Sequence, residues 1–541
     1  TIMKLTREMV IQKHFLNLPI KNGAAKLKMR LTAEEQVLKA FEIELANGKP
    51  DFWAYSDVGK FIGKRLKIQV EDEKDIAANA LKPITQSDVP RGLGNLYREK
   101  HRPQIHFTSR RGWINDPNGL VYYKGEYHLF YQHNPYGWRW GNMHWGHAVS
   151  LDLVHWRELP DALEPDRLGT IYSGSAVVDW DNTAGFQKGV EKAIVCAYTS
   201  AGGTSTESKD QPFTQCIAYS NDRGRTWTKY GGNPVLPHIK GANRDPKVIW
   251  HKPTGKWVMA LYLDENDYAL FSSKNLKQWE QLCKVTVPGA SECPDFFELP
   301  VDGDPGNTKW VFWAANSTYL LGAFNGQTYT REGEAQRFNW GGDSYAAQTW
   351  SDIPDKDARR IQIAWLRVNL PNMPFNQQMT FPCELKLRAT QKGIRLFSTP
   401  VKEVEKLHGE KHFWKDVNLS PGENLLTQIH GDLFHIQADF QIGEASEFGF
   451  TIRGILVIYD VKKEELTIRD KSTPLTPMDG KIRFQILVDR ASIEVFGNEG
   501  IVTVSIGVIP KDEDTSLEVY SKGGVTRVNS LEVYKLYSTW A

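Results

Sequence analysis

From about Gly125 onward, the apolar and polar positions of the chain repeat one phrase: a turn residue, a short apolar-aromatic run and a polar loop. The five copies, starting 51 to 66 residues apart, are GEYHLFYQHN (125), EKAIVCAYTS (191), GKWVMALYLD (255), TKWVFWAANS (308) and RRIQIAWLRV (359). Three are followed by a second phrase ending in Trp156, Trp227 or Trp279. Strand-rich repeats of this length are typical of propeller blades. The pattern predicts a five-bladed β-propeller, with a large β-sandwich as the alternative.

The apolar–polar pattern of the sequence changes on both sides of the repeat. After about residue 405, runs such as LFHIQADFQI and IVTVSIGVI alternate with period two and predict a C-terminal β-sandwich. Before residue 95 lies a third region, which ends in KPITQSDVPRGLG, the expected linker. Within it, Leu31 to Ala46 fits either a helix with a Thr32–Glu35 capping box or a strand. We therefore predict an all-β chain: a small N-terminal β-domain with linker (1–95), the propeller (104–400) and the sandwich (410–541).

Composition narrows the class of partner. The chain carries 66 Lys and Arg against 65 Asp and Glu, with no basic stripe, which disfavours nucleic acid and favours a neutral ligand. No apolar run approaches the ~18 residues of a membrane helix. Five scattered cysteines predict neither a disulfide framework nor a zinc site. His144 and His147 form an HxxH motif without a third ligand, so packing is favoured and we predict no metal and no cofactor.

Three acidic residues lie in short segments rich in turn-forming residues: Asp116 in WINDPNG, Asp245 in NRDPK and Glu292 in SECPDFFEL. Taken alone, each of the three acids is explained more simply as a turn-forming residue than as a catalytic one. Asp116 is expected in a tight turn just before the strand LVYY. A propeller brings strands from all its blades around one axis, so the three carboxylates can converge there. Glycoside hydrolysis needs one carboxylate and one carboxylic acid, and Arg244 beside Asp245 is expected to keep that group ionised.

These motifs resemble the three signature motifs of glycoside hydrolase family 32, which includes invertases, exo-inulinases and levanases. LFYQHNP, WGNMHWGHAVS, YSGSAV and SYAAQTW extend the resemblance, which runs from about Phe107 to the C-terminus. It implies a five-bladed propeller followed by a β-sandwich and a retaining double displacement. Asp116 would be the nucleophile, Asp245 the transition-state stabiliser and Glu292 the acid/base. The substrate-binding residues it implies are Asn115, Gln132, Trp140, Tyr172, Ser173, Arg244, Tyr345 and Trp365.

The resemblance implies a β-fructosidase that releases terminal fructose from fructans, levan or inulin, with sucrose as a further candidate substrate. The alternatives are an endo-levanase and a non-catalytic fructan-binding protein. Tyr172 and Ser291 depart from the Phe and Trp of many relatives, and both positions bear on specificity. The protein is expected to be secreted, periplasmic or at the cell surface. Linkage preference and oligomeric state stay open.

The N-terminal region is similar to a small β-domain on some Bacteroidetes fructanases. It implies either a polysaccharide-binding module, with Phe52, Trp53 and Tyr55 as stacking candidates, or a spacer packed on the propeller. The C-terminal sandwich raises the same choice, and there we favour a structural role.

Overall fold

The fold is known from a computed structural model, which describes residues 1–540 and is almost entirely β-structure. The four short 3-10 helices are Gly59–Phe61, Thr206–Ser208, Lys402–Leu407 and Asn498–Gly500. Among the described residues, no helix is long and apolar enough to cross a membrane.

The N-terminal region forms two small sheets around one apolar core. Its strands are β1 (Met3–Val10), β2 (Phe15–Ile20), β3 (Lys26–Ala33), β4 (Gln36–Glu44), β5 (Phe52–Asp57), β6 (Arg65–Asp72) and β7 (Thr85–Ser87). The first sheet has the order β1-β6-β3-β4 and the second β5-β2-β7. The ambiguous segment is thus a hairpin, with Glu34 and Glu35 at positive φ in its turn, and the helix alternative is wrong. Part of the expected linker, β7, instead pairs with β2.

The next strands build the five predicted blades. They are β8 (Gly112–Tyr123), β9 (Glu126–Asn134), β10 (His144–Ser150), β11 (Trp156–Leu163), β12 (Thr170–Asp179), β13 (Ala193–Ala201), β14 (Phe213–Ser220), β15 (Thr228–Lys229), β16 (Arg244–His251), β17 (Lys256–Asp264), β18 (Asp267–Ser273), β19 (Glu280–Thr286), β20 (Asp295–Val301), β21 (Asp304–Trp313), β22 (Thr318–Phe324), β23 (Tyr329–Arg337), β24 (Ser344–Thr349), β25 (Arg360–Leu366), β26 (Phe375–Asn376), β27 (Gln378–Met379), β28 (Cys383–Thr390) and β29 (Gly393–Pro400). Blades one to four are β8–β11, β12–β15, β16–β19 and β20–β23; the fifth contains β24, β25, β28 and β29.

The sequence repeat has a simple structural meaning. Its five copies contain the second strand of each blade, namely β9, β13, β17, β21 and β25. These strands are apolar because neighbouring blades bury both of their faces. Trp156, Trp227 and Trp279 mark the start of the fourth strand in the first three blades. The first strands of successive blades contact one another in a closed ring, so their residues surround the propeller axis.

The C-terminal sheets are the predicted sandwich. Their strands are β30 (His408–Leu419), β31 (Phe434–Gln441), β32 (Glu447–Ile452), β33 (Ile455–Asp460), β34 (Glu465–Ile468), β35 (Lys471–Pro474), β36 (Lys481–Asp489), β37 (Ser492–Gly497), β38 (Val502–Gly507), β39 (Leu517–Lys522) and β40 (Thr526–Leu536). A six-stranded sheet, β30-β40-β31-β36-β37-β38, faces a five-stranded one, β35-β34-β33-β32-β39. Apolar residues from both sheets form one core between them.

A buried charged cluster joins the propeller to the sandwich. His106 Nδ1 lies 2.8 Å from Asp489 Oδ2, and its Nε2 contacts Glu494. Burial lowers the pKa of His106, but Glu494 and Asp489 outweigh burial and raise it to about 9. The imidazolium is therefore the form that this interface holds at neutral pH.

Candidate active site

The three predicted acids meet at one end of the ring of first strands, where the regular pairing of the strands is interrupted. Asp116 lies in β8 and Asp245 in β16, each inside a β-bulge. Ser173 in β12 lies in a third bulge, and a fourth follows Tyr345 in β24. Glu292 immediately precedes β20, so every blade contributes one side chain. Bulges re-aim side chains and are common beside active sites.

Local sequence explains why the pairing breaks at these points. Pro117, Pro246 and Pro294 each follow one of the acids within two residues, and proline cannot donate a ladder hydrogen bond. In β8, Gly119 at φ +57° completes the irregular stretch. A Cβ there would lie 2.5 Å from the ring of Phe130, so only glycine fits. Asp116 therefore lies inside a bulged strand, and the expectation of a tight turn before the strand is wrong.

The Asp116 carboxyl group accepts hydrogen bonds from two neighbouring side chains. Its Oδ2 accepts a 2.6 Å bond from Ser173 Oγ, and its Oδ1 accepts a 3.2 Å bond from Asn115 Nδ2. Burial raises the pKa of Asp116, the bonds from Ser173 and Asn115 lower it, and the nearby charge of Glu292 raises it. Trp145 Nε1 donates to the carbonyl oxygen of Tyr172 at 2.9 Å and so fixes the bulge that carries Ser173.

Asp245 is the most deeply buried of the three acids. Its backbone is strained, with φ +70°, and its N–H donates to Thr199 Oγ1 at 3.0 Å. Oδ2 accepts the backbone N–H of Cys293 at 3.0 Å. Burial is the largest influence and raises the pKa of Asp245, Arg244 lowers it, and the charges of Asp116 and Glu292 raise it; the resulting pKa is about 7. Arg244 therefore does not outweigh burial in the free protein, contrary to the expectation from sequence.

Glu292 carries a different set of partners. Its φ is +61°, and its carbonyl oxygen accepts a 2.8 Å bond from the hydroxyl of Tyr268. The side chain is 33% exposed. Its Oε1 accepts a 2.5 Å bond from the Tyr345 hydroxyl, and its Oε2 lies 3.1 Å from Arg244 Nη2. Glu292 is thus both positioned and accessible, as a group that exchanges protons with a substrate must be.

The remaining predicted residues surround these acids at different depths. Asn115 Oδ1 accepts from Trp113 Nε1 at 2.9 Å, which orients the amide toward Asp116. Trp365 meets Tyr345 edge-to-face with ring centroids 6.1 Å apart. Trp140 is 48% exposed and meets Tyr172 edge-to-face at 6.0 Å.

Gln132 lies below this surface. It is buried, and its amide nitrogen donates to Asn118 Oδ1 and to the carbonyl oxygen of Ile171, both at 3.0 Å. The bond to Ile171 ties the first blade to β12, the strand that carries Ser173.

Comparison with known proteins identifies the family. The model of the glycosyl hydrolases family 32 N-terminal domain matches residues 106–400, and that of the glycosyl hydrolases family 32 C terminal matches residues 403–535. The chain belongs to glycoside hydrolase family 32. It is a glycoside hydrolase by this membership. Neither model includes residues 1–105.

Similar proteins of this family have been characterised or solved. A levanase of Bacillus subtilis (strain 168) is 43% identical over 82% of this chain and 72% of its own length. An extracellular exo-inulinase of Aspergillus ficuum is 32% identical over 82% of this chain and 96% of its own. The crystal structure of exo-inulinase from Aspergillus awamori matches with a TM-score of 0.75 and 31% identity, over 82% of this chain and 100% of its own.

Sequence reasoning missed one residue at the centre of the family 32 site. Cys293 Sγ lies 3.4 Å from Asp116 Oδ2 and 3.3 Å from Asp245 Oδ2. Burial, together with the charges of the surrounding carboxylates, holds the pKa of this thiol well above its usual range, so it is a neutral S–H donor. The only signal in the sequence was its position directly after Glu292 in SECPD. A single cysteine does not by itself indicate a hydrogen-bond donor between two carboxyl groups.

The HxxH pair serves packing. His147 stacks on Phe130 with ring centroids 4.0 Å apart, and its Nε2 lies 2.9 Å from His128 Nδ1. His144 Nδ1 contacts the carbonyl oxygen of Asn142. Over residues 1–540, no three His, Cys, Asp or Glu side chains group as metal ligands.

Proposed function

We propose that this chain is a retaining β-fructosidase that hydrolyses terminal fructosyl units of fructans, with Asp116 as nucleophile, Glu292 as acid/base and Asp245 as transition-state stabiliser. The observation that carries the proposal is the convergence of these three carboxylates with distinct partners: Ser173 on the first, Cys293 between the first and second, and Arg244 between the second and third. Family membership and relatives named levanase and exo-inulinase support it.

The reaction would proceed in two displacements. Asp116 attacks the anomeric carbon of the terminal fructosyl unit, the bond to the leaving oxygen breaks, and protonated Glu292 supplies the proton that this oxygen takes. Ionised Glu292 then removes a proton from water, which attacks the fructosyl–Asp116 ester and releases fructose with retained configuration. The leaving oxygen would take the place that Arg244 Nη2 occupies beside Glu292 Oε2 in the free protein.

The other residues would bind the fructosyl unit. Asn115, Ser173 and Arg244 present hydrogen-bonding groups beside the acids, and Trp140 and Trp365 form aromatic walls. Asp245, in its ionised form, would hydrogen-bond fructose hydroxyls and stabilise the positive charge that develops on the ring. Tyr172 lies on the edge of the same pocket.

The paired test uses Asp116→Asn and Glu292→Gln. Asp116→Asn should abolish hydrolysis, since an amide cannot form the covalent intermediate. Glu292→Gln should slow levan hydrolysis by about 10²–10⁴, and slow an activated aryl fructoside far less, because that leaving group needs little protonation. Glu298→Gln, an exposed substitution in β20, is the control and should change neither rate. Equal slowing of both substrates by Glu292→Gln would contradict the acid/base role.

Substrate and mode of cleavage are open to one further assay. Levan is the first substrate to test, because the levanase is more similar to this chain than the exo-inulinase; inulin and sucrose follow. Fructose as the sole early product would support exo action, while an early ladder of oligosaccharides would mean an endo-levanase. No hydrolysis of any of the three would favour a fructan-binding protein.

We also propose the division into an N-terminal unit (1–95), a catalytic propeller (104–400) and a sandwich (410–541), and a place of action outside the cytoplasm. The relatives described as extracellular support secretion; periplasmic and cell-surface locations are the finer alternatives.

A further inference from the structure

The N-terminal β-domain holds the loop that carries Trp140. That loop joins β9 to β10, and its Tyr136 belongs to the apolar core of the N-terminal domain. The Tyr136 ring stacks on Phe41 with centroids 3.7 Å apart, and its hydroxyl lies 3.3 Å from Ser56 Oγ. A propeller loop is thus folded into the core of a domain that neither family model includes.

A second set of bonds fixes the loop on the other side of Trp140. The side chain of Asn142 accepts from the Glu42 backbone N–H at 2.9 Å and donates to the Glu42 carbonyl oxygen at 2.8 Å. Trp140 lies between Tyr136 and Asn142 in the loop, and its ring meets that of Tyr172, the neighbour of Ser173, edge-to-face. The N-terminal domain therefore sets the position of an exposed tryptophan at the rim of the active site.

A groove of about 160 Å³ lies between the N-terminal sheet and the loop that carries Trp140. One wall is the outer face of the N-terminal sheet β3, β4 and β6; the other is Trp140 with parts of the second blade. The sheet residues that point outward into the groove are Lys28, Arg30, Ala40, Glu42, Gln69 and Glu71.

The alternation along these strands separates a core face from a groove face. Met29, Phe41 and Val70 alternate with the outward residues and are buried in the domain core. The outward side chains are therefore not part of the domain core. Polar side chains outside the core, next to an exposed tryptophan, form a surface that suits hydroxyl-rich ligands. Each sugar offers hydroxyls to the polar groups and a C–H face to the aromatic ring.

The charge of the groove favours a neutral occupant. Its lining has three cationic side chains, Lys26, Lys28 and Arg30, and three anionic ones, Glu42, Glu71 and Glu207. Arg30 Nη2 pairs with Glu207 Oε1 at 3.3 Å and links the two walls. A balanced lining neither attracts nor repels charge, in keeping with an uncharged polysaccharide rather than a polyanion.

The groove lies close to the catalytic residues along β12. Thr170 lines the groove, and Ser173, three residues further along the same strand, contacts Asp116. Three residues of strand span ~10 Å. A chain whose terminal unit lies at Asp116 thus needs only a short path past Trp140 and Tyr172 to enter the groove.

We propose that this groove binds the fructan chain beyond the cleaved unit, so that the N-terminal β-domain is a substrate-binding part of the active site that selects long fructans over short ones. The proposal rests on the proposed fructosidase function. In this proposal the groove takes the place of the three aromatic residues that the sequence suggested for stacking on sugars. Phe52 is buried in the core, Trp53 lies under the guanidinium of Arg91 at 4.1 Å, and Tyr55 packs edge-to-face on Phe15.

The test compares chain lengths in the double variant K28S/Q69S. With polymeric levan, kcat/KM should fall about tenfold through KM, as expected for two lost hydrogen-bonding groups. With levanbiose, which ends before the groove, the change should stay below about twofold. Lys67→Ser is the matched control, because Lys67 lies on the same face of β6 but outside the groove. Unchanged thermal unfolding midpoints would show that the variants fold. Glu42→Ser serves as a second groove variant, because Glu42 bonds to Asn142 through its main chain and the substitution leaves those bonds in place.

A binding measurement separates this inference from the fructosidase proposal. Levan binding to the Asp116→Asn background, measured by affinity electrophoresis, should weaken in the groove variants and stay unchanged with Lys67→Ser. If the parent protein hydrolyses nothing yet K28S/Q69S loses levan binding, the fructosidase proposal fails and the groove stands. The groove proposal is overturned if K28S/Q69S and Glu42→Ser bind and cleave levan like the parent. It is also overturned if these variants lose as much activity on levanbiose as on levan. A parent that binds neither levan nor inulin overturns the groove proposal, whereas hydrolysis of any of the three substrates leaves the fructosidase proposal standing.

Discussion

Removal of the Ser173 hydroxyl tests how the site keeps its nucleophile ionised. Ser173 Oγ donates a 2.6 Å bond to Asp116 Oδ2, and among the three acids it contacts Asp116 alone. Burial works against that carboxylate by raising its pKa, and the serine bond opposes burial. Ser173→Ala leaves burial in place and deletes the opposing bond.

The size of the effect follows from the type of bond. Hydrogen bonds to charged groups contribute about 1.5–3 kcal/mol, and one pKa unit corresponds to about 1.36 kcal/mol. The variant should therefore raise the pKa of Asp116 by about one to two units. Because attack needs the ionised form of Asp116, the acid limb of the kcat/KM profile, to which Asp245 also contributes, should move to higher pH.

The measurement is the pH dependence of kcat/KM for levan in the parent and in Ser173→Ala. Ser175→Ala is the control: it lies on the same strand, but its hydroxyl donates to the Pro246 carbonyl oxygen at 2.8 Å instead of to an acid. Loss of a sugar contact alone would lower kcat/KM at every pH without moving the limb. An acid limb that stays in place or moves to lower pH would refute the reasoning.

The other two predictions concern stability and reactivity. His106→Gln should lower the free energy of unfolding by about 3–5 kcal/mol at neutral pH, because it leaves Asp489 and Glu494 buried without their cation. Since the pKa of His106 is raised from 6.5 to about 9, its contribution is complete below pH 6.5 and is lost as pH rises through about 9. Urea midpoints should thus converge for parent and variant above that pH; parallel curves would contradict the argument. Cys293, a buried neutral thiol, should resist iodoacetamide in the native protein, checked by mass spectrometry; rapid modification would show that it is a thiolate.

Several elements could be predicted from sequence because their signals are local. An apolar run between turn residues becomes the second strand of each blade wherever it occurs, so counting such runs gave the number of blades. Proline beside Asp116, Asp245 and Glu292 marked irregular backbone for the same local reason. The segment Leu31 to Ala46 was ambiguous because local signals for helix and strand coexist there, and pairing of β3 with both β4 and β6 decided for strand.

The sequence by itself thus determined the all-β class, the repeat and the three acids, since backbone preference and side-chain periodicity act over a few residues. Tertiary structure alone decided that Cys293 lies between Asp116 and Asp245, that burial outweighs Arg244 at Asp245, and that an N-terminal sheet contacts the loop of Trp140. Those properties depend on which groups closure of the propeller ring and docking of the domains bring together and hide from water. The contacting residues are 48 to 177 positions apart in the sequence, so local patterns carry no information about that packing.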